Sequence, residues 1–183
     1  MSILLATMLL FFIMVSTSPG SQDPAAAGPQ EITDNSTCGK CGMYPAKYPR
    51  WQAQVVFNDG TMTPFDGCKC MFGFLFNMSQ FDQEHATSDV ASTWVREFNT
   101  GDWIDAKKAY YVVGSDEMGP MGKELIPFAD AASAENFQKE HGGQNAQYNS
   151  INMETLQPLM GKMQMKGKMD MNDKMDMKGK MDM

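Results

Sequence analysis

The chain has 183 residues, which is enough for one medium-sized domain or for two small units that share a core. Its 22 acidic and 15 basic residues give a net charge of −7, which argues against nucleic-acid binding because that requires a basic face. With nineteen methionines and four cysteines but only two histidines, the chain has far more sulfur-containing side chains than imidazoles as candidate metal ligands.

The N-terminal segment indicates export. An apolar run extends from Ile3 to Val15, a length that suits the core of a signal peptide better than a membrane span of about 20 residues. Residues 1–16 are therefore interpreted as a signal peptide or an N-terminal anchor, although a positively charged n-region is missing. No cysteine lies close to the end of this run, so lipid attachment is not indicated. Residues 17–37 are rich in Pro, Ala, Gly and Ser and indicate a linker.

Residues 38–85 predict a hairpin followed by a helix. The stretch 51–66 contains a strand, an Asp-Gly turn signal at Asp59–Gly60 and a return strand. The following residues, 67–81, carry apolar side chains at helical spacing, and Asp66 is the predicted N-cap.

A second run of strands and a helix predicts a related unit at about 90–145. Strands are expected at 92–98, 108–114 and 125–128. The segment from Asp130 to Gly142 or Gly143 has the N-cap and the glycine stop of a helix. Strands followed by a helix, twice, predict an α+β protein made of two related ββα-type units within a domain at 38–158.

The C-terminal segment, 159–183, differs from the rest of the chain. Its last 24 residues hold nine methionines and no aromatic or β-branched side chain, so we expect it to be disordered. Six lysines and four aspartates give it a charge of +2, which leaves −9 on the remainder. Solvent-exposed thioethers suit weak, exchangeable binding of a soft ion, and the alternative is a solubilising extension. The Met-x-Met pairs are Met163, Met165, Met169, Met171, Met175, Met177, Met181 and Met183.

Two pairs of cysteines lie close together along the chain. Cys38 and Cys41 could share a metal ion or form a disulfide, and Cys68 and Cys70 could complete a structural zinc site with them. A thioredoxin-like redox pair also stays open, although such a motif should open a helix after a strand. Met43 favours Cu(I), since thiolate and thioether together are soft donors.

Other chemical signals are fewer. Met118 and Met121 lie near glycines in a predicted loop and are further candidate ligands. No Ser-His-Asp arrangement, phosphate loop or paired acid motif stands out, so we expect no enzymatic activity.

Four separated stretches resemble the NosL family, accessory proteins of nitrous oxide reductase maturation: CGKCGMYPAKYPRWQAQVVFNDG, PFDGCKCMFGF, WIDAKKAYYVVGS and GPMGKELIPF. The resemblance implies two ββα-type units and a periplasmic Cu(I) chaperone. It also implies that nitrous oxide reductase or its assembly machinery is the partner. Its ligands fall on Cys41, Met43 and Met121, and Cys38 matches a cysteine at the start of the motif.

The resulting hypothesis is an exported, non-catalytic Cu(I) carrier that delivers copper by ligand exchange. Cys68, Cys70 and the methionines of the C-terminal segment would add copper capacity. The alternatives are a thiol–disulfide oxidoreductase and a structural zinc-binding interaction module.

Overall fold

Seven strands and four α-helices form the part of the chain that the computed structural model describes, residues 27–160. The strands are β1 (Ala53–Phe57), β2 (Met62–Phe65), β3 (Val90–Arg96), β4 (Trp103–Asp105), β5 (Tyr110–Gly119), β6 (Gly122–Phe128) and β7 (Gln144–Gln147). The helices are α1 (Cys68–Leu75), α2 (Met78–Phe81), α3 (Ala131–His141) and α4 (Met153–Leu156). Short 3-10 helices lie at Pro45–Lys47, Pro49–Trp51, Thr87–Asp89, Tyr148–Ser150 and Gln157–Leu159.

The strands form two antiparallel sheets with the same local order. One sheet has the order β2-β1-β3-β4 and the other β6-β5-β7. In each, a hairpin leads into a helix, and the next strand returns beside the first strand of the hairpin. The predicted α+β class with two related ββα-type units is confirmed.

Strand β3 belongs to a different unit from the one that the sequence indicates. Residues 92–98 are predicted in the second unit, but β3 pairs with β1 in the first sheet, with Ala53 opposite Val95. The alternating pattern of a strand does not identify its partner, because pairing depends on contacts distant in sequence.

The two hairpins differ in how well the sequence predicts them. The turn at Asp59 forms as expected: Gly60 has a φ of 86°, and Thr61 N–H donates to Asp59 Oδ1 at 2.9 Å. The second hairpin is longer than predicted, because β5 continues through Met118 to a turn at Pro120 and Met121. Met118 therefore lies in a strand rather than in a loop.

A continuous hydrophobic core joins the two units. It combines α1 residues such as Met71 and Phe72 with Tyr111 of β5 and Leu125 of β6, all fully buried. A second cluster lies under α3, where Phe128 and Phe137 pack together. Since α1 contacts strands of both sheets, its position is set by the whole molecule.

The described ends of the chain contact the domain. Gln30 N–H donates to Gln54 Oε1 at 2.9 Å, and Ala27 O accepts from Trp94 Nε1 at 3.0 Å. These residues belong to the segment whose composition indicates a linker. The predicted signal peptide or anchor, and all but the first two residues of the predicted disordered segment, lie outside residues 27–160. None of the helices between residues 27 and 160 has the length and apolar character needed to cross a membrane.

Candidate metal centre

The loop from Cys38 to Met43 is folded back on itself. Cys38 N–H donates to Met43 O at 2.7 Å, and Gly42 N–H donates to Cys38 O at 3.0 Å. Gly42 has a φ of 75°, a conformation that glycine adopts without steric cost. Gly39 N–H donates to Pro64 O at 3.0 Å and fixes the loop against β2. The loop thus presents both cysteines to the start of α1.

The start of α1 differs from the prediction. Gly67, not Asp66, is the N-cap residue, and the backbone N–H of Lys69 donates instead to the carboxylate of Glu124 on β6. A carboxylate from the second unit therefore takes the capping role that the sequence assigned to Asp66. Asp66 is left free to face the cysteine loop.

Four side chains meet at this point, and their donor atoms all lie within 4.8 Å of one another. They are Cys38, Cys41, Asp66 and Cys70. Asp66 is 1% exposed; its Oδ1 accepts from Cys41 Sγ at 3.3 Å, whereas its Oδ2 is buried without a hydrogen-bond partner. A buried carboxylate oxygen without a partner is costly, and a bound cation would satisfy it.

The thiols of Cys38, Cys41 and Cys70, called here the thiol cluster, change one another's acidity. Hydrogen bonds from Cys41 and then Cys70 lower the pKa of Cys38. The contact with Cys38 raises the pKa of Cys41 to about 12 and, with a further contribution from Cys41, also raises the pKa of Cys70. Burial is the main cause of the raised pKa of Asp66. The metal-free cluster therefore favours one thiolate held by two protonated thiols, and a metal ion would have to displace those protons.

The donor set suits a thiophilic ion. Three sulfurs favour Cu(I), and three sulfurs with one carboxylate oxygen also match the four donors of a tetrahedral zinc site. All four cysteines of the chain are free thiols, so the sulfurs of Cys38, Cys41 and Cys70 are available to a metal.

The predicted ligands are only partly brought together. Cys38 and Cys41 lie in the cluster with Cys70, but Cys68 points elsewhere and is buried in the core. Side chains at positions i and i+2 of a helix point about 200° apart around its axis, so the two cysteines of a Cys-x-Cys pair on α1 cannot face one ion.

The predicted methionine ligands lie at three kinds of position. Met43 is half-buried at the end of the cysteine loop. Met118 and Met121 are 55% and 40% exposed at the tip of the β5–β6 hairpin. The eight methionines of the Met-x-Met pairs lie outside the described residues.

Asp66 is the member of the cluster that sequence reasoning missed. It lies one residue before the N-cap Gly67 and outside α1, so helical spacing does not relate it to Cys70. The sequence offered only a capping role for this aspartate, and the structure gives that role to Glu124.

The fold and the cluster together define a small α+β protein with a sulfur-rich group of the kind that binds soft metal ions. Residues 29–156 match the model of the NosL family. The chain therefore belongs to the NosL family, as its four sequence stretches predict.

Relatives and a solved structure agree with this assignment. The chain is 27% identical over 155 residues to the copper-binding lipoprotein NosL of Stutzerimonas stutzeri, covering 84% of this chain and 81% of that protein. It is 30% identical over 124 residues to the copper-binding lipoprotein NosL of Achromobacter cycloclastes, 63% of each chain. The crystal structure of the copper chaperone NosL from Shewanella denitrificans shares the fold, with a TM-score of 0.60 and 24% identity over 69% of this chain and 97% of that one.

Proposed function

We propose that this protein is an exported Cu(I) carrier that holds the ion at the thiol cluster and releases it by ligand exchange. The observation that carries the proposal is the meeting of Cys38, Cys41 and Cys70 within 4.8 Å, in a member of a family whose relatives are named copper-binding. Soft thiolates bind Cu(I) in preference to harder ions.

The proposal gives different roles to thiols and thioethers. Cys38 and Cys70 are buried, whereas Cys41 and Met43 are half-buried at the edge of the site. A donor from a partner protein would therefore reach the ion on the side of Cys41 and Met43. Thioethers bind more weakly than thiolates, so Met43, Met121 and Met118 serve entry and exit of the ion.

Family membership supports a proposal for the partner and the compartment. Relatives are named lipoproteins, which fits export, and we place this protein in the periplasm. We further infer that its client is nitrous oxide reductase or the machinery that assembles its copper centres. The protein acts as a carrier and not as an enzyme.

A structural zinc site is the second candidate, because Asp66 Oδ2 lacks a partner and would supply a fourth, hard donor. An Asp66→Asn variant separates the two. A zinc site would lose affinity strongly, whereas a Cu(I) site formed by three sulfurs would change little.

The direct test is an anaerobic Cu(I) titration against a chromogenic chelator, with Cys70→Ser and the matched Cys68→Ser variant. We expect one tight equivalent in the native protein and in Cys68→Ser, and a loss of roughly tenfold or more in Cys70→Ser, about 1.4 kcal/mol. Equal losses of Cu(I) affinity in Cys70→Ser and Cys68→Ser would contradict the assignment of the thiol cluster as the Cu(I) site. Absence of a tight equivalent in the native protein would favour the zinc or the thiol–disulfide alternative.

A further inference from the structure

His85 lies between two carboxylates that belong to different parts of the chain. Its Nδ1 is 2.8 Å from Asp82 Oδ2, directly after α2, and its Nε2 is 3.3 Å from Asp59 Oδ2, in the β1–β2 turn. The ring stacks on Phe57 of β1, with the ring centroids 3.8 Å apart and an angle of 8° between the planes. Since 15% of the side chain is exposed, the imidazole is held against the sheet while each of its nitrogens faces an acid.

The histidine belongs to a segment that crosses from α2 to β3, residues 82–89, which is called here the strap. At one end, Asp82 N–H donates to Met78 O at 2.8 Å, and at the other, Asp89 O accepts from Asn58 N–H at 2.8 Å. Within the strap, His85 N–H donates to Asp82 Oδ1 at 3.0 Å. The imidazole then reaches from the middle of the strap to the β1–β2 turn and joins the two.

The charge of the ring decides how many of these contacts can be hydrogen bonds. An imidazolium donates from both nitrogens, whereas a neutral imidazole has one donor and one acceptor. The charged ring can therefore donate to Asp82 and Asp59 at the same time. The neutral ring keeps one of these bonds, and its other nitrogen turns a lone pair toward a carboxylate. Because the contact with Asp82 is the shorter one, we expect the bond to Asp59 to be lost.

Thr61 offers the neutral ring a different hydrogen bond. Its hydroxyl oxygen lies 2.7 Å from Asp59 Oδ1 and 3.3 Å from His85 Nε2. Beside a charged ring this hydroxyl donates to Asp59, and beside a neutral ring it can donate to Nε2 only by leaving the carboxylate. The site thus has two hydrogen-bond arrangements, and only one of them bonds Asp59 directly to the ring.

The charges around the ring favour the protonated arrangement. Residues 53–66 and 78–89 contain no lysine or arginine, and the ion pairs of Asp59 and Asp82 within residues 27–160 are both with His85. The other acids of the strap are Glu84, which is exposed, and Asp89, whose carboxylate accepts from a backbone N–H of the strap at 2.8 Å. The hydrogen bonds with Asp82 and, to a smaller extent, Asp59 raise the pKa of His85 above its ordinary 6.5, although burial acts in the opposite direction.

We propose that His85 is a proton-dependent clamp, which fastens the strap to the β1–β2 turn when the ring is charged and loosens it when the ring is neutral. The clamped form binds the proton more tightly, so it is favoured below about pH 6.5 and is lost as the pH rises through the raised pKa. Loosening lets water reach Phe57, which is 1% exposed beneath the ring. The clamp does not involve the metal, because none of its side chains belongs to the thiol cluster.

The first measurement is an NMR titration of both histidines in the full, metal-free chain from about pH 5 to about pH 9. His141 is the internal comparison, since its Nδ1 contacts one carboxylate, that of Asp116, at 2.9 Å. His141→Gln assigns the two sets of resonances. We expect Asp59→Asn to lower the pKa of His85 toward 6.5 and to leave that of His141 unchanged. Asparagine still accepts from Thr61 N–H but carries no charge.

Hydrogen exchange measured by mass spectrometry then reports on the strap itself. Protection of peptides that cover residues 82–89 is compared at about pH 5.5 and about pH 8.5, after correction for the pH dependence of intrinsic exchange. In the native chain we expect this protection to fall roughly twofold to fivefold between the two pH values, the range of a partly exposed ion pair. His85→Gln should show equal protection at both, since glutamine does not titrate. His141→Gln should behave like the native chain.

An unchanged pKa of His85 in Asp59→Asn would overturn the clamp, because the turn would then contribute nothing to holding the proton. Strap protection that does not vary with pH in the native chain would overturn it too, as would a full pH dependence that persists in His85→Gln. If His85→Gln does not fold, Asp59→Asn replaces it, since the Asp59 side chain is 55% exposed, and a smaller pH dependence is expected there. Both measurements use metal-free protein and are independent of the Cu(I) titration that tests the carrier function.

Discussion

Glu124 is the buried residue on which the neighbourhood of the cluster depends most directly. Its carboxylate is 1% exposed and accepts backbone N–H bonds from Lys69 and Leu125. Burial raises its pKa from the ordinary 4.5 to about 7, although the charge of Lys69 acts in the opposite direction. Between about pH 4.5 and 7, the Glu124 carboxyl is therefore protonated in the folded protein but ionised in the unfolded chain.

This shift predicts a stability that falls as the pH rises. The folded state binds the proton more tightly than the unfolded state, so the contribution is fully present below about pH 4.5 and is lost as the pH rises through about 7. The difference is worth about 3 kcal/mol. Glu124→Gln keeps an acceptor but cannot titrate, so its free energy of unfolding should vary less between about pH 5 and 8.

The measurement is urea denaturation of the metal-free protein at several pH values. Glu140→Gln, on the exposed side of α3, serves as the control and should leave the pH dependence unchanged. An identical slope in Glu124→Gln and in the native protein would contradict the assignment.

Helix α1 owes its position to a close approach between its N-cap and β6. Gly67 has an extended backbone with a φ of −176°, so its conformation alone does not require glycine. A Cβ at this position, however, would overlap Glu124 Oε2. The absence of a side chain at Gly67 therefore lets the buried carboxylate reach the backbone N–H of Lys69, in the helix that carries Cys70.

Gly67→Ala should consequently destabilise the protein by about 1–3 kcal/mol, since overpacking forces the helix or the carboxylate to move. The same shift should weaken Cu(I) binding, because α1 carries Cys70. Gly28→Ala is the matched control: a Cβ there would meet nothing within 4 Å. Chemical denaturation with both variants checks the expectation, and equal midpoints would refute it.

Local signals predicted most elements but not the contacts between them. The Asp59–Gly60 hairpin and α3, with Asp130 accepting from Ser133 N–H at 2.8 Å, form where the sequence indicates. Glu124 as the cap of α1 was not predictable, because it lies 55 residues from Lys69 along the chain. Likewise, nothing in the alternating pattern of β3 shows that it pairs with β1.

At the scale of the whole molecule, some parts of the candidate site can be predicted from sequence motifs and others depend on the complete fold. Sequence motifs identified Cys38 and Cys41, and helical geometry explains why Cys70 joins them while Cys68 does not. The placement of α1 against the cysteine loop depends on a core shared by both units. Such long-range packing is a property of the complete fold, so the sequence indicated the three thiols but neither Asp66 nor the arrangement of the four donors.

The methionine-rich segment allows a last prediction about how the whole chain handles copper. The core and the thiol cluster lie within residues 27–160, and the family match ends at residue 156. Removing residues 161–183 should therefore leave the denaturation midpoint and the tight Cu(I) equivalent unchanged. Several weaker equivalents should disappear, because the removed segment contains eight methionines.

A variant with those eight methionines replaced by glutamine separates thioether chemistry from length and charge. It should behave like the truncated chain in an anaerobic competition titration, since glutamine has a similar length but no soft donor. Weak equivalents that persist in this variant would instead assign them to other groups. Loss of the tight equivalent on truncation would mean that the thiol cluster needs the segment to complete its site.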